Sequence, residues 1–132
     1  MFLELNNLII SKKRGKIPSL PFFVIQKQII YPILKKKYSL AINFIYPKEA
    51  QALNIKYRKK KYIPNILSFP TSKTEGEIFI CLSAARKEAK QFDLSYKKFL
   101  YLLIIHGCLH LSGVLHGKKM TSLEKKYLKK EL

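Results

Sequence analysis

All three histidines of the chain lie in one short segment, at positions 106, 110 and 116. On a helix, His106 and His110 would share one face, one turn apart. Gly113 then predicts a helix end, because glycine adopts the left-handed conformation without steric cost, and the chain can turn to bring His116 back toward the pair. Three imidazoles with one coordination position left open are typical of catalytic zinc. We therefore predict that His106, His110 and His116 bind one zinc ion.

The residues between the histidines indicate which reactions the metal site could catalyse. The metzincin proteases share this spacing in the pattern His-Glu-x-x-His-x-x-Gly-x-x-His, but Gly107 replaces their glutamate. Peptide hydrolysis without that general base is disfavoured, whereas the metal ligands are intact. A glycine inside a helix costs about 1 kcal/mol relative to alanine, which a close approach of substrate or of a neighbouring element would explain. Cys108 lies about 200° around the helix from His106, so we expect it to be a buried hydrophobic residue and not a ligand.

The pattern of helices and strands expected around these residues predicts a single α+β domain over residues 1–132. The architecture is a small mixed β-sheet of about four strands packed with helices, with a zincin-like helix carrying the first two histidines. Strands are expected at residues 2–10, 39–46, 65–70 and 76–81. Helices are expected at residues 22–37, 48–58, 84–92 and 118–132. A further long helix is expected to open at Ser95, carry His106 and His110, and stop at Gly113.

Individual residues set the expected boundaries of these elements. Pro32 should kink or end the first helix, because proline removes a backbone donor and clashes with the preceding turn. Ser83 and Ser95 are the predicted N-caps of the third and fourth helices. The polar residues from Thr71 to Gly76 are expected to form a mobile loop.

The net charge of +18 is the strongest feature of the composition. It favours a polyanionic partner, with RNA or DNA first. Lysine outnumbers arginine by 23 to 3, however, and A/T-rich codons also produce such usage. The charge therefore permits nucleic acid as a partner without identifying it.

Other features of the sequence predict a cytoplasmic protein. No stretch of 18 apolar residues exists that could span a membrane. The N-terminal residues show neither a basic region before an apolar segment nor a small-residue cleavage site. Cys81 and Cys108 are too few for a disulfide framework.

The histidine segment resembles the signature of the YbeY family of rRNA maturation endoribonucleases, which reads approximately His-Gly-x-Leu-His-Leu-x-Gly-Tyr-Asp-His. Other segments resemble the family's Leu-Asn…Tyr-Arg…Thr-Asp-Val-Leu-Ser-Phe-Pro block and its Gly-Asp-Ile strand. These segments are Leu53-Asn54, Tyr57-Arg58, residues 65–70 and residues 76–81. The resemblance covers residues 40–116.

The resemblance implies a zinc-dependent, single-strand-specific endoribonuclease. Its role would be 3′-end maturation of small-subunit (16S) rRNA and ribosome quality control, with single-stranded RNA and the small ribosomal subunit and its proteins as partners. Arg58 matches the family's functional arginine, and a guanidinium can hold a phosphate at two points. We therefore expect Arg58 to be catalytic.

The sequence departs from the family pattern at two places, and two alternatives stay open. Val114-Leu115 replaces Tyr-Asp before the last histidine, and Pro64-Asn65 replaces Thr-Asp. Leu115 can neither orient a ligand nor assist proton transfer. One alternative is a non-catalytic, basic ribosome-biogenesis factor with a structural metal site, which a fourth protein ligand would favour. The other is a zincin-like hydrolase of another substrate.

Overall fold

The computed structural model describes residues 2–129 and begins with a β-hairpin. Strands β1 (Phe2–Leu5) and β2 (Leu8–Lys12) pair antiparallel. Asn6 has a φ of 53° in the turn between them, a left-handed conformation that asparagine tolerates better than most residues. The single strand predicted for residues 2–10 is wrong in this respect, because the two asparagines turn the chain.

The other elements follow the predicted order. The remaining strands are β3 (Ser39–Ile45), β4 (Ile66–Ser72) and β5 (Glu75–Cys81). The helices are α1 (Phe22–Val24), a π-helical segment (Ile25–Ile30), α2 (Tyr31–Leu34), α3 (Pro47–Arg58), α4 (Leu82–Gln91), α5 (Tyr96–Leu111) and α6 (Lys118–Lys129). The α+β class is confirmed.

The five strands form one mixed sheet in the order β1-β2-β3-β5-β4. The β2–β3 and β3–β5 pairs are parallel, and the two outer pairs are antiparallel. In β3, Leu40, Ile42 and Phe44 are buried, as their alternation predicted. The sheet has five strands and not about four, because the first predicted strand is a hairpin.

The first helix accommodates Pro32 by widening the turn before it. Residues Ile25–Ile30 are π-helical, and the helix continues through Pro32 to Leu34. A wider turn moves the carbonyl four residues earlier away from the proline ring. The helix ends where Lys35 adopts a φ of 77°. The helix therefore ends at Leu34, three residues before the predicted end at Lys37.

Two further boundary predictions are wrong. The segment expected as a mobile loop, Thr71 to Gly76, instead completes β4, turns, and starts β5. Helix α4 begins at Leu82 and follows directly from β5, with Cys81 at its N-cap. Ser83 therefore lies inside the first turn of the helix and is not its cap.

Helix α5 lies against the sheet and supplies much of the core. Nine of its residues are buried: Phe99, Leu100, Tyr101, Leu103, Ile104, Ile105, Gly107, Cys108 and Leu109. This burial confirms the expectation for Cys108 and raises the pKa of its thiol. Within residues 2–129, no helix has both the length and the hydropathy needed to cross a membrane.

Candidate metal centre

The histidine helix α5 starts and ends at local signals in the sequence. The hydroxyl of Ser95 accepts a hydrogen bond from the backbone N–H of Lys98 at 3.1 Å, which confirms the predicted N-cap. At the other end, the backbone N–H of Gly113 donates to the carbonyl of His110, and Gly113 has a φ of 102°. The helix therefore stops immediately after its second histidine, and the chain turns there.

Gly107 allows α5 to approach the sheet closely. A Cβ atom built at Gly107 would lie 2.7 Å from Cδ1 of Ile78, 3.0 Å from Oγ of Ser68 and 3.1 Å from Cδ1 of Ile66. These neighbours belong to β4 and β5. The close approach of these strands thus explains why a glycine occupies position 107. This close packing also brings His106 and His110 beside β4.

The turn after α5 brings the three imidazoles together. The ring centroids are 4.5 Å apart for His106 and His110, 5.2 Å for His106 and His116, and 4.4 Å for His110 and His116. One ring nitrogen of each histidine lies within 4.8 Å of those of the other two. Three imidazole nitrogens that converge in this way can hold a metal ion, and imidazole is a ligand that suits zinc.

His106 is held by a carboxylate from the terminal helix. Its Nδ1 atom lies 2.5 Å from Oε2 of Glu124, and both side chains are mostly buried. Because Nδ1 is occupied by this hydrogen bond, Nε2 is the ring nitrogen of His106 that is available to a metal. Helix α6 therefore holds the candidate ligand His106 that α5 presents.

His110 is kept in the form that binds metal. Burial lowers its pKa from the ordinary value, and the neighbouring His106 and His116 lower it further. A hydrogen bond with the backbone of Val114 and the charge of Glu124 oppose this shift. A lowered pKa leaves the imidazole neutral at neutral pH, with a lone pair free for coordination.

Arg58 lies in the same cleft as the histidines. It is the last residue of α3, where Lys59 takes the left-handed conformation with a φ of 59°. Its side chain is exposed, and within residues 2–129 no carboxylate forms an ion pair with it. The guanidinium is therefore free to bind an anionic group in the cleft.

The cleft has a volume of about 530 Å³ and is bounded by β4, the end of α3 and the loop between them. The three histidines line it. Its other lining residues are Arg58, Tyr62, Ile63, Pro64, Asn65, Ile66, Leu67, Ser68, Phe69 and Glu88. The cleft thus combines cationic, polar and apolar side chains around the histidine cluster.

Glu124 is the residue of the site that the sequence interpretation missed. The signal for it was present, because Met120, Leu123, Glu124 and Tyr127 follow the spacing of a buried helical face. A carboxylate at such a position, eight residues after His116, needs a partner. Leu115, which replaces the family's aspartate, is 79% exposed and has no comparable role.

Comparison with known proteins agrees with this geometry. The family model described as Endoribonuclease YbeY matches residues 20–131. A solved structure of a Thermotoga maritima protein superimposes with a TM-score of 0.62 at 26% identity, covering 92% of this chain and 87% of the other. The fold is therefore shared beyond the histidine segment.

Relatives with the name endoribonuclease YbeY are similar in sequence. The Polynucleobacter asymbioticus protein is 41% identical over 100 residues, covering 69% of this chain and 64% of its own length. The Mesoplasma florum protein is 37% identical over 106 residues, with 68% and 63% covered. The match therefore spans a little under two thirds of these two relatives.

A third relative matches over more of its length. The Phytoplasma australiense protein is 30% identical over 129 residues, covering 87% of this chain and 88% of its own. The family model, the relatives and the fold agree with one another. The chain belongs to the endoribonuclease YbeY family.

Proposed function

We propose that residues 1–132 form a zinc-dependent, single-strand-specific endoribonuclease. In this proposal the protein acts in the cytoplasm in 3′-end maturation of small-subunit (16S) rRNA and in ribosome quality control. Family membership supports the nuclease activity. The observation that carries the proposal is the convergence of three imidazoles in one open cleft that is also lined by Arg58, an arginine with no ion pair to any residue that the structure describes.

The donor set fits a catalytic metal ion. Among the described residues, the cluster contains three candidate ligands and no fourth histidine, cysteine or carboxylate. Three ligands and an open position are the arrangement of catalytic zinc, whereas structural zinc is closed by four. A bound zinc ion would polarise a phosphoryl oxygen and make water a stronger nucleophile. This ligand set supports a catalytic site over a structural one.

The surrounding residues suit a phosphodiester better than a peptide. Arg58 can bind two oxygens of one phosphate and stabilise negative charge that develops during cleavage. Lys59 and Lys61 follow it in the same exposed loop and can contact neighbouring phosphates. Gly107 occupies the position of the glutamate that zincin proteases use as general base, and it packs against the sheet. These features support RNA as the substrate.

The proposal is tested by comparing substrates. Purified zinc-loaded protein should cleave a single-stranded fragment of small-subunit rRNA, leave the same sequence intact in a perfect duplex, and leave casein intact. Cleavage of casein without cleavage of RNA would favour a zincin-like hydrolase of another substrate. Binding of rRNA without any cleavage would favour a non-catalytic ribosome-biogenesis factor.

A further inference from the structure

Tyr62 presents an aromatic ring that has no partner among residues 2–129. Five aromatic side chains are prominent among the exposed apolar residues: Phe23, Tyr46, Tyr57, Tyr62 and Phe92. Four of them are engaged. Phe23 lies under Lys27, the hydroxyl of Tyr46 donates to Arg14, Tyr57 contacts Phe69, and Phe92 stacks on Phe99. Within residues 2–129, Tyr62 makes no ring contact and no hydrogen bond through its hydroxyl, and it is 53% exposed.

The backbone that carries Tyr62 is fixed from the side of α3. The side-chain amide of the buried Asn54 donates to the carbonyl of Tyr62 at 2.9 Å. The side-chain amide of Gln51 donates to the carbonyl of Lys61 at 2.8 Å. The ring of Tyr62 is therefore presented by an anchored loop, and little conformational entropy would be lost when a ligand packs on it.

The same wall is also fixed on its other side. The backbone carbonyl of Asn65 accepts a hydrogen bond from the N–H of Cys81 at 2.9 Å. The side-chain amide of Asn65 donates to Oε2 of Glu88 at 2.6 Å. Pro64, between these anchors, is buried and has a restricted backbone. This part of the cleft is thus formed before any ligand binds.

The residues around Tyr62 favour the base of a nucleotide over its phosphate. Ile63 and Pro64 are apolar, and Glu88 is the only acidic residue among the described residues that line the cleft. A carboxylate repels phosphate, whereas an exposed aromatic ring beside apolar side chains suits the flat face of a base. Arg58, the proposed phosphate-binding residue, lies in the same cleft, so one nucleotide could contact both Arg58 and Tyr62.

We propose that Tyr62 forms a stacking subsite for one nucleobase of single-stranded RNA next to the histidine cluster. This inference rests on the proposed function, because it assumes that RNA enters the cleft. It also provides a physical reason for single-strand specificity. A base inside a duplex is already stacked and cannot pack on Tyr62 without leaving its neighbours.

The test measures binding of a short labelled RNA to chelator-treated protein, so that cleavage does not interfere. Tyr62→Ala should weaken binding about tenfold, whereas Tyr62→Phe should bind like wild type because the ring is kept. Phe23→Ala is the matched control, since Phe23 is similarly exposed and is not part of the cleft lining. This control should also bind like wild type.

An abasic oligonucleotide of equal length separates stacking from backbone contacts. Wild type and Tyr62→Ala should bind it equally, because it carries no base. The subsite is refuted if Tyr62→Ala binds the normal RNA like wild type, or if it loses as much affinity for the abasic strand. Cleavage by the wild-type protein is measured separately, so that failure of the subsite and failure of the nuclease proposal give different results.

A separate observation concerns the contact between Glu124 and His106. The carboxylate and the imidazole are 2.5 Å apart and join α6 to α5. The connection between the two helices is short, because α5 ends at Leu111 and α6 starts at Lys118, two residues after His116. The buried Met120 and Tyr127 anchor α6 on the core at either side of Glu124. Docking of α6 therefore places the carboxylate on the ligand.

The geometry assigns Glu124 as a positioning residue of the metal centre. A carboxylate that accepts from Nδ1–H fixes the tautomer and orientation of a ligating imidazole and increases the electron density on its other nitrogen. Leu115 leaves the segment before His116 without such a group. In this chain the carboxylate that orients a candidate ligand comes instead from Glu124 of α6, and the ligand that it orients is His106.

The test is metal affinity and not activity. Glu124→Gln should weaken zinc binding about tenfold in competition with a chromophoric chelator, while one zinc per chain still binds at saturation. The visible spectrum of the Co²⁺-loaded variant should shift, because the orientation of His106 changes. Glu4→Gln removes the same charge from the exposed part of β1 and should leave affinity and spectrum unchanged.

A purely structural role gives a different result. In that case Glu124→Gln would lower the unfolding temperature of the metal-free protein while zinc affinity and the Co²⁺ spectrum stayed those of wild type. That outcome would overturn the assignment. Weaker zinc binding in a metal-free protein that unfolds at the wild-type temperature would support it.

Discussion

His110 is the central ligand of the proposed metal site at the scale of single residues. Its ring lies 4.5 Å from that of His106 and 4.4 Å from that of His116. Its lowered pKa keeps it neutral at neutral pH, so that no proton has to be displaced when a metal binds. Loss of this imidazole would leave two candidate ligands, His106 and His116, whose rings are 5.2 Å apart.

His110→Ala should therefore abolish stoichiometric zinc binding. We expect the zinc content after dialysis to fall from one per chain to nearly none, as measured by elemental analysis. Ser112→Ala, two residues away and exposed, should retain the metal. One zinc per chain in the His110 variant would contradict the assignment of the site.

Arg58 should contribute to cleavage without contributing to metal binding. Arg58→Ala should reduce the rate of RNA cleavage about a hundredfold, since it removes a cationic donor aimed at the phosphate, while zinc content stays unchanged. Arg58→Lys should recover only part of the rate, because lysine cannot bind two oxygens in a fixed plane. Lys60→Ala, on the same exposed loop, should have a smaller effect. Wild-type cleavage by Arg58→Ala would refute its catalytic role.

At the scale of elements, the site depends on how closely α5 packs against β4 and β5. Gly107 is the residue that permits this distance, because Ile78, Ser68 and Ile66 would all crowd a Cβ atom there. Ile78, which carries the nearest of these atoms, is fully buried and has little space into which to move, whereas Ile66 and Ser68 are only half-buried. Substitution at Gly107 thus tests whether the helix position is set by this contact.

Gly107→Ala should lower the free energy of unfolding by about 1 kcal/mol, because overpacking outweighs the gain in helix propensity. Adding Ile78→Val removes the nearest atom, Cδ1 of Ile78, and the double variant should lose less stability than the two single effects combined. Chemical denaturation of the four proteins measures this coupling. A Gly107→Ala protein more stable than wild type would show that the close packing imposes no constraint.

The sequence predicted those elements whose signals are local. Ser95 and Gly113 delimit α5 through a cap and a left-handed turn, and the histidine spacing then follows from helix geometry. Contacts between distant segments were not predictable in the same way. The pairing of Glu124 with His106 requires α6 to dock on α5, which depends on tertiary packing of apolar residues such as Met120 and Tyr127.

Local signals also failed where the surrounding structure overrides them. Pro32 was expected to kink or end its helix, and the helix does end at Leu34, but no local signal predicted the π-helical segment before it. The polar segment from Thr71 to Gly76 was expected to be a loop, yet only residues 73–74 form the turn, and the residues on either side extend β4 and β5, which pair with each other. Backbone pairing at an edge of the sheet is not encoded in composition alone.

At the scale of the whole molecule, charge and shape act together on an anionic substrate. In the proposed function, the net charge of +18 would attract RNA to the surface at long range, and the cleft would then select by short-range contacts. The histidines, Arg58 and Tyr62 line that one cleft, although they come from α5, the following turn, the end of α3 and a loop. The fold therefore brings the residues proposed to bind metal, phosphate and a base into one cleft.

Zinc-dependent cleavage of single-stranded rRNA is the measurement that tests the proposed catalytic metal site most directly. Wild-type protein should cleave the RNA, lose activity when a chelator removes the metal, and regain it when zinc is added back. His110→Ala should remain inactive under all three conditions. Full cleavage by zinc-free protein, or by the His110 variant, would contradict the central claim that the histidine cluster holds the catalytic metal.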